Sequence, residues 1–227
     1  IGGLAASDLE EGQENVVVGY AALAADTTGS RNVAIGQGVL NNQNMGGSSV
    51  VLSYNTAVGF QAGINLSTGK FNNFFGFLSA GNGVVTGTHN TSVGGESLYA
   101  LTSGVSNVTV GYHAGLGVTL GVRNTIIGAV AGDAISEGSY NCVMGYNAQG
   151  IDTKGSRSIA IGYGALGAQN FTSATDNYNV AIGFGAAASL STGTNNVLIG
   201  GNVSQVDAGI VGEAPIQTGT NNVVIGK

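Results

Sequence analysis

His89, His113, Cys142 and the acidic run Asp8, Glu10, Glu11 and Glu14 are the side chains of this 227-residue chain whose types best suit chemistry. Hydrolysis or metal-assisted catalysis requires such groups to converge: a base beside a nucleophile, two opposed carboxylates, or ligands at metal-binding spacing. None of those spacings is present. Neither His has a second His or Cys near it in sequence, no base accompanies Cys142, and no second acidic cluster opposes the N-terminal run. The string GYGALG at 162–167 lacks the βαβ setting of a dinucleotide site. The Asp-bearing glycine nonapeptide of a calcium roll is also missing. Sequons at 65–67 and 170–172 are cheap matches in so Asn- and Ser-rich a chain. The expectation is a non-enzyme without cofactor or metal, in which both histidines are surface groups and Cys142 is a small buried apolar residue.

Composition narrows the class further. Only 8% of residues are charged, against roughly 25% in ordinary soluble domains. The 41 glycines and single proline, together with a 43% hydrophobic content, exclude both a disordered linker and a collagen. A net charge of -6 with six basic residues argues against a nucleic-acid partner. No apolar run approaches the ~20 residues of a membrane helix, so membrane insertion is not expected.

What must position any functional group is a repeat. Asn-x-x-apolar-Gly begins at Asn15, Asn32, Asn55, Asn72, Asn90, Asn107, Asn124, Asn141, Ser158 (in place of Asn), Asn179, Asn196 and Asn222. Seven of the eleven spacings are 17 residues, and the longer ones mark insertions near 41–50, 167–176 and 203–216. The motif reads as a short strand, with neighbouring positions facing opposite sides. Its fourth position is always apolar and is assigned to the core; its third, mostly small, is assigned to an outer surface covered by another copy of the chain. The closing glycines, Gly19, Gly36, Gly59, Gly111, Gly128, Gly145, Gly162, Gly183 and Gly200 among them, suit corners of positive φ or close backbone approach. A second glycine three residues before each Asn suggests a second corner. The recurrent Ala22, Ala62, Ala114, Ala131, Ala148, Ala165 and Ala186 suggest a second, inward-facing strand. Two glycines per unit would cost a helix about 1 kcal/mol each. The fold is therefore predicted to be all-β: a parallel β-solenoid of about 12 coils of 17 residues, forming one domain over 1–227. Stacking would turn Asn32, Asn55, Asn107, Asn124, Asn141, Asn179, Asn196 and Asn222 into an amide ladder, and would pair Glu137 with Lys154 across coils.

The segments SIAIGYGALGA (158–168) and NVAIGFGAAAS (179–189) resemble the head repeats of YadA-type trimeric adhesins. With LTSG or LSTG before the next Asn, the unit is still more similar to repeats of phage tail fibres. The resemblance covers essentially the whole chain. It implies a left-handed parallel β-roll assembled as an intertwined or side-by-side homotrimer, on a virion or bacterial cell surface. A hexapeptide acyltransferase, also a left-handed solenoid, is disfavoured because the period is 17 rather than six.

Recognition is expected in the insertions, since loops on a rigid scaffold usually carry it. Asn44, Met45, Asn170, Phe171, Gln205 and Asp207 are the candidate recognition residues, and their polar surroundings suit a cell-surface glycan. Ile1-Gly2 reads as the tail of a further motif and NNVVIGK as a half-coil. The chain is accordingly expected to be a segment of a longer fibre, with head-to-tail joining into an extracellular filament as the alternative.

Overall fold

The computed structural model describes residues 1–202 and 217–226. Among the described residues all regular structure is β. Twelve strands of three residues form one parallel sheet: Val16–Val18, Val33–Ile35, Thr56–Val58, Asn73–Phe75, Thr91–Val93, Val108–Val110, Thr125–Ile127, Cys142–Met144, Ile159–Ile161, Val180–Ile182, Val197–Ile199 and Val223–Ile225. They lie in sequence order, and each pairs in register with the same motif positions of the next, as in Val16↔Val33 and Cys142↔Ile159. The molecule is a parallel β-solenoid of about eleven turns with a period of roughly 17 residues.

Each motif Asn is the hinge of this stacking. The Asn107 backbone N–H and side-chain Nδ2 both donate to Asn90 Oδ1, at 3.0 and 3.1 Å. Asn107 Nδ2 also reaches the Gly121 carbonyl of the following coil at 2.8 Å, and Asn107 Oδ1 accepts two bonds from Asn124. These amides are completely buried, so each bond replaces a contact that water would otherwise make. The ladder is modified where Ser158 stands in for Asn: Ser158 Oγ donates to Asn177, whose Oδ1 also takes the Asn179 N–H.

The motif glycines adopt φ near +130°, and the backbone of the next coil presses against them. A Cβ at Gly111 or Gly128 would sit 2.7 Å from the following coil's glycine oxygen, closer than real contacts allow.

Two expectations about the coil are corrected. The third motif position, not the fourth, faces the core: Ala34, Ala57, Phe74, Ile126, Val143, Ala160 and Ala181 are fully buried. The fourth looks outward, with Val18, Ile35, Phe75, Val93, Val110 and Met144 exposed by 36 to 40%. A three-residue strand points one side chain inward and two outward. The interior is narrow, so the single inward place takes the smaller residue and the β-branched ones are left outside. Cys142, in the second column, is consequently half-exposed rather than buried.

The second correction concerns the opposite wall. The recurrent alanines are buried as expected, but they lie in tight turns, not a strand. Left-handed residues alternate along this wall, for example Ala21 and Leu23, Glu96 and Leu98, Leu166 following Gly164. Backbone bonds still join coil to coil there, such as Leu23 N–H to Val39 O at 2.9 Å and Leu98 N–H to Ala114 O at 3.1 Å. Bulk is matched across the thin core: Phe74 packs over Gly63, and Ile126 over Gly115 and Gly132.

This geometry separates two neighbouring substitutions. Val143→Asp, which buries an unpaired charge, is expected to abolish folding, whereas Met144→Asp leaves the single chain folded; far-UV circular dichroism and thermal unfolding distinguish them. Asn107→Ala, which strands several buried partners, should cost about 2–4 kcal/mol in urea unfolding.

Candidate functional site

Two coils depart from the regular core in the same way. Six residues before the motif Asn, the ordinary coil carries a buried apolar residue: Leu66, Leu101, Val118, Ile135 or Leu190. Asp26 and Asp152 occupy that column instead, both fully buried. One coil later the column holds Gln43 and Gln169, also buried. In sequence the two sites share the string Asp-Thr-x-Gly-Ser-Arg (26–31 and 152–157), followed 17 residues after the Asp by Gln-Asn. The first and second insertions follow those glutamines.

The hydrogen bonding is duplicated in detail. Gln43 Nε2 donates to Asp26 Oδ2 at 2.6 Å, and Gln169 Nε2 to Asp152 Oδ2 at 2.6 Å. Asp26 Oδ1 accepts the N–H groups of Gly29 and Met45, and Asp152 Oδ1 those of Gly155 and Phe171. The amide oxygen of each Gln then takes a bond from the next motif Asn, Asn55 or Asn179. Each loop returns beside the coil that precedes it through a two-residue parallel pairing: Gly29–Ser30 with Val51–Leu52, and Gly155–Ser156 with Thr175–Asp176. The bonded partners of both carboxylates are N–H groups, the arrangement that stabilises an ionised carboxylate away from water.

Of the candidate recognition residues, Asn44 and Asn170 are exposed. The Asn44 side chain accepts the Gly46 N–H at 2.9 Å, shaping the loop. Met45 is half-buried. Phe171 is corrected: only 7% exposed, it packs inward and its N–H binds Asp152, so it anchors the loop instead of presenting a surface. Gln205 and Asp207, with the whole 203–216 insertion, lie outside the described residues.

A second feature escaped the sequence. The residue immediately before each motif Asn is left-handed, with φ between 51° and 65°, and its side chain stands outward in a column. Arg31 bonds Glu14 at 2.7 Å and lies over Tyr54. Tyr54 stacks on Phe71 and Phe71 on His89. Further along, Arg157 pairs with Asp176 at 3.0 Å and lies over Tyr140 and Tyr178. The bonds to Glu14 and Tyr54 raise the Arg31 guanidinium above its ordinary pKa, and Asp176 does the same for Arg157. The signal for this column was the recurrence of aromatic and basic residues at one offset from Asn.

The remaining candidates are scattered over other columns. His113 meets Glu96 at 3.0 Å and stacks on Tyr112. Burial pushes the nearby Asp133 carboxyl up, opposed by its own and the Ala134 N–H groups and by His113. The Glu137–Lys154 pair forms at 2.8 Å, as the 17-residue offset required. Among the described residues no group of three or more His, Cys, Asp or Glu is placed to hold a metal, and no helix is long and apolar enough to cross a membrane.

Comparison of the chain with family models, with curated proteins and with solved structures returns no match.

Asp152→Ala leaves four buried N–H donors, from Gln149, Gln169, Gly155 and Phe171, without their acceptor. It should destabilise the protein by about 2–4 kcal/mol. Lys154→Ala, which removes a partly exposed ion pair two residues away, should cost less than about 1 kcal/mol. Chemical unfolding of the two variants side by side tests the difference.

Proposed function

We propose that this chain is a segment of an extracellular attachment fibre, foremost of a phage tail fibre, in which three copies assemble along a shared axis as left-handed β-rolls. The observation that carries the proposal is the outward face of the sheet. Its second and fourth motif columns are apolar from end to end, from Val16 and Val18 through Val108, Val110 and Ile159 to Val223 and Ile225. At ~3.3 Å per residue and ~4.8 Å per strand this face measures roughly 10 by 50 Å. An apolar strip on the order of 500 Å² is large for a free monomer and typical of a surface that another chain covers.

A partner of the same sequence fits best because the strip repeats with the coil. A copy in register meets the same β-branched row at every step, and a straight row of Val and Ile packs without charged groups to desolvate. Beside the strip runs an aromatic column in the residue after each motif Gly, where Tyr146, Tyr163 and Phe184 stack with ring centroids 5.5 and 4.9 Å apart. A surface built from neutral polar groups and rigid coils suits length and adhesion, and the separation of loop edge from sheet face leaves recognition outside the assembly.

Size-exclusion chromatography with light scattering should return three times the mass of one chain. Met144→Asp combined with Ile161→Asp should return one, and Cys142 should react with a maleimide faster in that variant than in the parent. A well-folded parent that runs as a monomer overturns the assembly.

A further inference from the structure

The two loop-bearing coils are copies of one device. Everywhere else that column is filled by Leu, Val or Ile, which stabilises a core without needing any partner. Replacing it by a buried carboxylate is costly unless every lone pair is met. The chain accepts that cost twice, each time one coil before an insertion, and each time with the carboxylate holding the first residue of the loop, Met45 or Phe171. A loop that only tolerated extra length would need no such anchor. These loops are held in fixed shape, and in the same shape at both places.

They also stand on one edge. Both small pairings form at the same offset from the motif Asn, and the coils between them stack in register. Seven sheet steps separate Val33–Ile35 from Ile159–Ile161, which places the loops about 34 Å apart along the axis at ~4.8 Å per step. What they offer in common is neutral: Asn44, Ser48 and Ser49 on the first, Asn170, Thr172 and Ser173 on the second, all exposed. The large apolar side chain of each loop turns inward, which removes the anchor a protein partner would need. The neighbouring arginines are paired with Glu14 and Asp176, so no free positive charge invites a polyanion.

We propose that the loops at 44–50 and 170–174 are two equivalent binding elements for one hydroxyl-rich ligand, and that this ligand is a surface polysaccharide engaged at both places by successive repeats. The inference rests on the attachment-fibre reading and adds the ligand class, the residues and the valence. Two elements on a rigid spacer convert the second contact into an intramolecular one, so a polymer binds far more tightly than its own repeat unit.

The test uses the full chain on an array that carries bacterial O-chain and capsular polysaccharides beside their single-repeat oligosaccharides. The parent should retain at least one polymer strongly and its single repeat weakly, with two repeats bound per chain. Each loop is then removed by restoring a regular coil: residues 45–50 deleted with Asp26→Leu and Gln43→Leu, or residues 171–174 deleted with Asp152→Leu and Gln169→Leu. Either change should weaken the polymer at least about tenfold and leave one repeat bound per chain; both together should abolish binding. Surface variants that leave the anchor intact, Asn44→Ala with Ser48→Ala and Asn170→Ala with Thr172→Ala, should reproduce the loss if a coil deletion fails to fold. Polymer binding unchanged in these variants, or one repeat per parent chain, overturns the inference and leaves the attachment reading standing. A parent that adheres to bacteria yet binds no glycan overturns the ligand class alone. A parent that binds neither overturns the attachment reading itself.

Discussion

Each motif asparagine commits its carbonyl oxygen to the coil that follows and its amide both to the coil before and to a glycine carbonyl of the coil ahead. Because the amides are buried, none of these bonds can be exchanged for water, and an isolated coil would leave them all unmade. Folding is therefore a property of neighbours. A coil is stable to the extent that an identical one sits on either side, which is the nearest-neighbour logic of repeat proteins. The 17-residue period follows from this: a shifted register would take Asn away from Asn along the whole length.

The ladder must also hold a backbone that bends unusually often. Positive φ at non-glycine residues recurs just before the motif Asn and along the turn wall, in bulky residues such as Phe71, Leu98 and Val130. Each such residue costs on the order of 1 kcal/mol relative to ordinary conformations. The cost is offset because left-handed residues point their N–H groups at the neighbouring coil, as Arg123 N–H does to Val105 O at 2.9 Å. They also throw side chains outward in straight columns, where aromatic rings and guanidinium groups stack at the coil spacing. The surface ladders are thus a by-product of the same bends that close the coil.

The anchored loops show how much of a site a sequence can carry unseen. Asp26 and Asp152 look like ordinary polar residues until the core column they interrupt is known. The paired strings DTTGSR and DTKGSR, each with Gln-Asn 17 residues after its Asp, were present throughout. What was missing was a reason to group an Asp in one coil with a Gln in the next. Stacking supplies it, since residues 17 apart become neighbours. Phe171 illustrates the opposite error: an aromatic residue in a polar insertion suggests a contact surface, but only the loop's path shows that it turns inward.

Periodicity by itself determined the fold class, the strand register, the asparagine ladder and the Glu137–Lys154 pair, because each depends only on which residues are multiples of one coil apart. Sequence could not determine which face of the strand is inside. The second, third and fourth motif positions are all largely apolar, so alternation gives two opposed faces without saying which encloses the core. Tertiary structure decided that through width: the space between the sheet and the turn wall admits Ala34 or Ala160 in most coils and a larger residue only where glycine faces it. It likewise decided that the second wall is made of turns, since alternating left- and right-handed residues have no distinctive composition once glycine is optional. Spacing is a one-dimensional property and survives in sequence; inside and outside exist only once the coil has closed.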